Sequence, residues 1–339
     1  MRIRAGIISA FRGFSVHKFL RSMKKSATFG VIFSGLFILT GSTLWAQQQP
    51  QKPSPSEPST TLKVDVKLVN VFVTVTDAHG APVGGLAKDN FSLLEDGREQ
   101  KISVFDKESA VPLSIALAID TSLSTRHDLP LEQTSAKRFA HAIMRPVDAL
   151  SVYGFSETVF MSTALTSDLK RIDSGIDHLR LGAATALFDA IYVTSRSLSP
   201  RQGRKVIVLI TDGGDTISKV DYKEAVRAAE EAEALVYSII IVPIESSAGR
   251  ETGGEHALIQ LSEDTGGKYY YATSMAQLDE AFRKISDELR TQYLLAYYPS
   301  QRSSFSEFRR IQVNVTGQPN SSTFQVRHRV GYYTVKSEF

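Results

Sequence analysis

Cysteine is absent from the 339-residue chain. The protein therefore has no disulfide framework, and it has no cysteine that could carry the lipid of a bacterial lipoprotein. Its stability has to come mainly from a buried core, and a composition of 42% hydrophobic and 22% charged residues is ordinary for a globular protein that builds one. For an exported chain, the lack of disulfides is more typical of bacteria than of animal secretions.

Several catalytic signatures are missing as well. The sequence contains no Gly-x-Ser-x-Gly nucleophile motif, no Gly-x-x-x-x-Gly-Lys phosphate loop and no dinucleotide-binding glycine fingerprint. His127 and His256 stand singly, without the His-x-x-x-His or His-Glu-x-x-His spacing of helical zinc sites. These absences disfavour serine hydrolases, nucleotide-dependent enzymes and zinc enzymes.

Acidic residues are absent from the first 46 positions, which carry seven basic residues and then an apolar stretch that starts at Ala27. This order is typical of a secretory signal peptide, and the small residue Ala46 before polar sequence predicts the cleavage point. We predict a signal peptide over residues 1–46, export to the periplasm or the extracellular space, and no membrane span after cleavage. An uncleaved signal anchor is the alternative, and Met23 is an alternative start to Met1.

Basic charge is scarce once the signal peptide is removed. Lys and Arg together then fall from 39 to 32 against 36 Asp and Glu, which is a net charge of −4. A nucleic-acid partner requires a basic stripe, and none is visible, so we exclude that class of partner. Residues 47–62 are rich in Pro, Ser and Gln and predict a disordered linker.

Short apolar runs alternate with amphipathic helical stretches between residues 112 and 292. This alternation is the signature of βαβ units, so we predict an α/β domain over 112–292 with a doubly wound, mostly parallel, six-stranded sheet of the Rossmann-like kind. The flanking segments 63–111 and 293–339 have the texture of β-strands. Because the first of them is too short to bury itself well, we predict that the two pack together as a small antiparallel β module.

Oxygen-bearing side chains follow the apolar runs of the predicted parallel sheet. One run ends in Asp120, with Ser122 and Ser124 at the second and fourth positions after it; Thr185 precedes an amphipathic helix, and Asp212 follows a second run. Open α/β sheets bind ligands at the carboxyl ends of their strands. Hard oxygens suit magnesium, with manganese or calcium as alternatives. We predict a divalent metal site with positions left open for the carboxylate of a partner.

These five positions resemble the metal-ion-dependent adhesion site of the von Willebrand factor type A domain, whose pattern is Asp-x-Ser-x-Ser followed by a distant Thr and a distant Asp. The resemblance implies the fold of that family for residues 112–292. It also implies that Ser122, Ser124 and Thr185 are hydroxyl ligands, and that Asp120 and Asp212 hold the metal directly or through water.

One position departs from the family pattern. Leu123 stands where the family often has Gly, and its larger side chain can tighten the loop or cover part of the metal face. The flanking sequences at 91–100 (Phe-Ser-Leu-Leu-Glu-Asp-Gly-Arg-Glu-Gln) and 293–299 (Tyr-Leu-Leu-Ala-Tyr-Tyr-Pro) are similar to those of the von Willebrand factor type A related proteins of Acidobacteria. That similarity implies an architecture and no shared biochemical activity.

Three functions are compatible with these residues. The first is an exported, non-enzymatic module that binds an acidic group of a protein or surface partner through the metal. The second is an aspartyl phosphatase with Asp120 as nucleophile, but such enzymes usually carry a second Asp two residues on, where this chain has Ser122. The third is a structural role with a degenerate metal site.

The candidate ligands also have ordinary interpretations. The two serines after Asp120 can cap a helix or satisfy a turn, and Thr185 can be only the N-cap of a helix that begins at Ala186. We interpret Asp189 and Asp215 as helix-start and loop carboxylates.

Overall fold

The structure is a computed structural model. It describes residues 68–107, 111–242, 252–301, 303, 305–319 and 321–334, so the predicted signal peptide and linker lie outside the described residues. Within these ranges the strands are β1 (Val69–Thr76), β2 (Phe91–Glu95), β3 (Arg98–Gln100), β4 (Ile102–Asp106), β5 (Leu113–Asp120), β6 (Ala149–Phe155), β7 (Val159–Thr166), β8 (Arg204–Thr211), β9 (Ala234–Ile241), β10 (Lys268–Ala272), β11 (Tyr293–Tyr297), β12 (Phe308–Val315), β13 (Gln325–Arg327) and β14 (Gly331–Tyr333). The α-helices are α1 (Leu129–Ile143), α2 (Leu169–Asp177), α3 (Leu187–Leu198), α4 (Tyr222–Glu231), α5 (Thr252–Thr265) and α6 (Met275–Thr291).

The central sheet has six strands in the order β10-β9-β8-β5-β6-β7. All neighbouring pairs are parallel except β6 and β7, which form an antiparallel hairpin at one edge. Strands β5 and β9 are buried at every residue, as expected for continuous apolar runs covered on both faces. The predicted six-stranded, mostly parallel sheet is confirmed.

Helices cover both faces of this sheet. Alternate residues of β5 point to opposite sides, so this strand contributes apolar side chains to both layers. Leu117 joins the core beneath α1, α2 and α6, and Ala118 joins the core beneath α3, α4 and α5. Asp168 and Asp221 cap α2 and α4 by accepting hydrogen bonds from N–H groups of the first turn. In the part of the chain that the structure describes, no helix is long and apolar enough to cross a membrane.

The flanking segments build two further antiparallel sheets of four strands, β13-β1-β11-β4 and β14-β12-β2-β3. Each sheet combines strands from before and after the central domain, and the apolar side chains of both sheets share one core. Glu95 is buried in this module, where its carboxylate accepts hydrogen bonds from the hydroxyls of Tyr297 at 2.6 Å and Tyr332 at 2.9 Å. The predicted pairing of the two flanks is confirmed, and the module is a pair of packed sheets.

The β module packs against the ends of α5 and α6. The guanidinium of Arg327 in β13 donates to the carbonyl of Gly267 at 2.8 Å and lies 2.6 Å from the carboxylate of Glu288 in α6. The amide of Gln292, just after α6, donates to the hydroxyl of Thr74 in β1 at 3.1 Å. Both helices start near the carboxyl ends of the parallel strands and run back, and the module contacts them where they end. The module therefore lies at the amino ends of the parallel strands. The candidate site lies at the opposite edge of the sheet.

Candidate metal centre

Asp120 is the last residue of β5, and its side chain is fully buried. One carboxylate oxygen accepts a hydrogen bond from the backbone N–H of Ser122 at 2.8 Å, and the other accepts one from the hydroxyl of Thr211 at 2.7 Å. Burial raises the pKa of Asp120 to about 6; the two hydrogen bonds oppose this rise, and the charge of Asp212 adds to it. The carboxylate is thus held in one orientation where a nearby cation would stabilise its charged form.

The loop after Asp120 turns through a short 3-10 helix at Leu123–Thr125. The buried hydroxyl of Thr125 fixes this turn by donating to the carbonyl oxygens of Asp120 at 3.1 Å and Ser122 at 3.0 Å. The hydroxyl oxygens of Ser122 and Ser124 lie 2.8 Å apart and are hydrogen-bonded to each other. Ser122 stands at the N-cap position of this 3-10 helix, but its side chain makes no capping hydrogen bond, and the N-cap position of α1 is occupied by Asp128.

Thr185 is buried in the loop before α3. Its backbone N–H donates to the hydroxyl of Thr216 at 2.9 Å, and its carbonyl oxygen accepts a hydrogen bond from the backbone N–H of Thr216 at 2.9 Å. The N-cap of α3 is Ala186, and the carboxylate of Asp215 accepts a hydrogen bond from the N–H of Leu187 at 2.8 Å. Thr185 is therefore not the N-cap of this helix, and Asp215 is a loop carboxylate that caps it.

Asp212 directly follows Thr211, the last residue of β8. Because β8 pairs in parallel with β5, the two strands end side by side, and this places Asp212 and Asp120 at the same edge of the sheet. Asp212 is half-buried, and one of its carboxylate oxygens accepts a long hydrogen bond of 3.4 Å from the N–H of Gly214.

Hydrogen bonds join the loop that carries Thr185 to the other loops of this edge. The N–H of Gly182 donates to the carbonyl of Thr121 at 2.8 Å, and the N–H of Ala186 donates to the carbonyl of Ser156, just after β6, at 2.7 Å. The structure thus places all five predicted side chains on three neighbouring loops at the carboxyl ends of the parallel strands: Asp120, Ser122, Ser124, Thr185 and Asp212.

The donor set suits a hard divalent ion. Two carboxylates and three hydroxyls are the oxygen ligands that magnesium, manganese and calcium accept. Among the described residues no three His, Cys, Asp or Glu side chains are grouped closely enough to hold a metal, so a site here has to rely on hydroxyl oxygens. Asp120 supports the fit, because burial raises the pKa of its carboxyl group and a cation beside it would stabilise the charged form.

Sequence reasoning missed three buried residues of this region. Thr211 orients Asp120 and Thr125 fixes the metal loop, but a threonine at the end of a strand or in a turn carries no signal of such a role. Glu132 in α1 is buried, and neither of its carboxylate oxygens has a hydrogen-bond partner among the described residues. A signal for Glu132 was available, since it lies on the apolar stripe of its helix.

The fold and the arrangement of these loops define a class of protein. The model of the von Willebrand factor type A domain matches residues 114–284. The chain therefore belongs to the von Willebrand factor type A domain family.

Comparison with curated proteins gives no match. Several solved structures are similar. The conserved hypothetical protein BatB from Bacteroides thetaiotaomicron is 19% identical, with 53% of this chain and 100% of that chain covered and a TM-score of 0.43. A von Willebrand factor type A protein from Catenulispora acidiphila is 11% identical, with coverages of 77% and 73% and a TM-score of 0.47. The PilB minor pilin from Streptococcus sanguinis is 14% identical, with coverages of 54% and 62% and a TM-score of 0.43.

Proposed function

We propose that this protein is an exported, non-enzymatic binding module that engages an acidic group of a protein or surface partner through a divalent ion, with magnesium as the first choice. The observation that carries the proposal is the meeting of Asp120, Asp212 and three hydroxyl side chains at one edge of the sheet. Export rests on the signal-peptide pattern of residues 1–46.

The five residues would have two different roles in binding the ion. Asp120 and Asp212 supply negative charge, while the hydroxyls of Ser122, Ser124 and Thr185 supply neutral oxygen ligands. The bound ion would supply positive charge to which a partner's carboxylate can coordinate. The two carboxylates would offset the charge of a divalent ion without filling its coordination positions, so a partner's carboxylate could still coordinate to it.

The surface around the centre supports a partner with apolar residues beside its acid. Three aliphatic side chains on the same loops are strongly exposed: Leu123 at 56%, Leu181 at 43% and Ile217 at 50%. Leu181 precedes Gly182, which bonds to the Asp120 loop, and the N–H of Ile217 donates to the carbonyl of Thr185 at 3.3 Å. Exposed apolar groups around a polar centre are a common feature of protein-binding surfaces. We therefore propose an acidic side chain flanked by aliphatic residues as the group that binds.

The phosphatase alternative has less support. The hydroxyl of Ser122 occupies the position where such an enzyme usually carries its acid–base carboxylate, and it is hydrogen-bonded to Ser124. A hydroxyl of ordinary pKa does not exchange protons readily near neutral pH. No feature of the described site favours a reaction over binding.

Calorimetric titration of the purified protein with magnesium, manganese and calcium tests the proposal. The matched variant carries Asp120→Asn and Asp212→Asn, which keep the side-chain shapes and remove both charges. We expect saturable binding that the folded double variant loses, followed by metal-dependent capture of peptides with an Asp or Glu between aliphatic residues. No metal binding by the wild-type protein would leave the structural role as the better function.

A further inference from the structure

Glu132 lies inside the apolar interface between α1 and the central sheet. The buried residues of this helix form one face, whose members are apolar except for Glu132 and Ser135. Glu132 lies in the first turn of α1, where its N–H donates to the carbonyl of Asp128 at 2.9 Å, and this turn directly follows the loop after Asp120. The helix face therefore directs Glu132 toward the part of the sheet from which the candidate metal loops emerge.

The carboxylate of Glu132 has no stabilising partner among the described residues. Its side chain is 1% exposed, and neither oxygen accepts or donates a hydrogen bond there. Burying a carboxyl group without a hydrogen bond costs free energy, and burying it charged without a cation costs much more. A buried carboxyl group without a hydrogen-bond partner calls for a physical explanation.

The electrostatics of Glu132 connect it to the metal loops. Burial raises its pKa well above the ordinary value, and the negative charges of Asp120, Asp128 and Asp212 raise it further. Two of these three carboxylates are the proposed acidic ligands. The region around the ends of β5 and β8 thus concentrates negative charge that a divalent cation would offset.

We propose that Glu132 is a further carboxylate of the metal centre, which acts from behind the ligands by accepting hydrogen bonds from water bound to the ion. Direct ligation is not proposed, because no three acidic side chains among the described residues are grouped closely enough to hold a metal together. Glu132 is thus a positioning residue that increases the affinity for the ion. This inference rests on the proposed function, since it requires that the centre bind a metal.

The assignment predicts effects of opposite sign in one variant. Without metal, replacing Glu132 by Leu removes a buried polar group with no partner, so the thermal midpoint should rise; Gln keeps a buried polar group there and serves to measure the metal affinity. With metal, the same replacement removes a carboxylate that stabilises the bound ion, and the affinity for manganese or magnesium should fall about tenfold, the lower end of the range for residues behind metal ligands. If Glu132 had only a structural role, its replacement would change the thermal midpoint and leave the metal affinity unchanged.

The test combines calorimetric titration with manganese and magnesium and thermal unfolding with and without metal. The variants are Glu132→Gln, Glu132→Leu and, as a matched control, Glu95→Gln, which alters a buried glutamate of the β module. We expect about tenfold weaker binding and a smaller metal-induced rise in thermal midpoint for both Glu132 variants, and wild-type affinity for the control.

Each outcome separates this inference from the proposed function. If the wild type binds metal and both Glu132 variants bind it equally well, the role of Glu132 is overturned and the proposed function stands. If the wild type binds no divalent ion, both proposals fail. The leucine variant keeps the test conclusive if the glutamine variant does not fold, because its side chain suits the apolar surroundings of the helix face.

Discussion

Thr211 donates a hydrogen bond of 2.7 Å from its hydroxyl to one carboxylate oxygen of Asp120, from the end of β8 to the end of the neighbouring strand β5. Both residues are fully buried. The same hydroxyl accepts a hydrogen bond from the N–H of Gly213 at 3.1 Å, so Thr211 ties the loop after Asp212 to the carboxylate of Asp120. Its position makes it the main support of the candidate metal centre on the β8 side.

Replacing Thr211 by valine keeps the shape of the side chain and removes the hydroxyl. We expect metal affinity to fall about tenfold, because residues that orient a ligand typically contribute this much or more to metal binding. Calorimetric titration with magnesium or manganese measures the change. Thr211→Ser retains the hydroxyl and is the control; equal affinities for the valine variant and the wild type would contradict the supporting role.

Leu123 is the departure from the family pattern, and the structure shows its side chain exposed at 56%. Substitutions of such exposed side chains usually change stability by no more than about 0.5 kcal/mol. We therefore expect Leu123→Ala to leave the metal dissociation constant within about threefold of the wild type, since about 1.4 kcal/mol corresponds to a factor of ten. Partner binding should weaken, because the substitution removes apolar contact surface. A large change in metal affinity would mean that Leu123 shapes the loop.

The pKa of Glu230 in α4 is raised to about 7, first by burial and then by the charges of Asp264 and Glu231. In the unfolded chain this carboxyl ionises near its ordinary value of 4.5. Between about pH 4.5 and about pH 7, the folded state therefore keeps a proton that the unfolded state has lost. The contribution of Glu230 to the stability of the fold falls as the pH rises through this range.

The variant Glu230→Gln removes this penalty. We expect it to raise the thermal midpoint clearly at pH 8 and to have a smaller effect at about pH 5, where the wild-type carboxyl is protonated in the folded state. Thermal unfolding at the two pH values measures the difference. The control is Glu263→Gln, at an exposed position of α5, which should change the thermal midpoint by the same amount at both pH values. If the control also raised the midpoint only at pH 8, Glu230 would not be the cause of the effect.

Gly266 directly follows α5 and begins the connection to β10 in a left-handed conformation, with a φ of +82°. A Cβ atom at this position would lie 2.5 Å from the backbone nitrogen of Arg329 in the β module. The variant Gly266→Ala should therefore lose at least about 2 kcal/mol of unfolding free energy, from backbone strain and from the clash. Urea unfolding measures it. Gly253→Ala, with open space around the added methyl group, is the matched control.

The parallel sheet, and the placement of the candidate residues at its carboxyl edge, could be predicted because their signals are local. A continuous apolar run that ends in Asp120 identifies a buried strand and the edge at which it ends. The strand partners of the β module were harder to predict, because β1 pairs with β11, which lies on the far side of the whole central domain in sequence. Alternating apolar residues predict that a strand has a buried face, and they do not specify which strand lies next to it.

Within the candidate site, the predicted residues are those whose chemistry shows in the sequence as carboxylates and hydroxyls after a strand. Thr211 acts through its position opposite Asp120, and that relationship exists only after β5 and β8 have paired. Glu132 was missed because a glutamate in an amphipathic helix is normally solvent-exposed, and here burial overrides that expectation.

The β module lies at the amino ends of the parallel strands, and the candidate metal centre lies at their carboxyl ends. A partner attached to the centre and a chain anchored beyond the module would therefore pull along the length of the strands. Hydrogen bonds between strands lie across that direction, so such a load shears many of them together instead of peeling them apart one at a time. The geometry thus predicts that the central sheet resists a load along its strands better than a load across them.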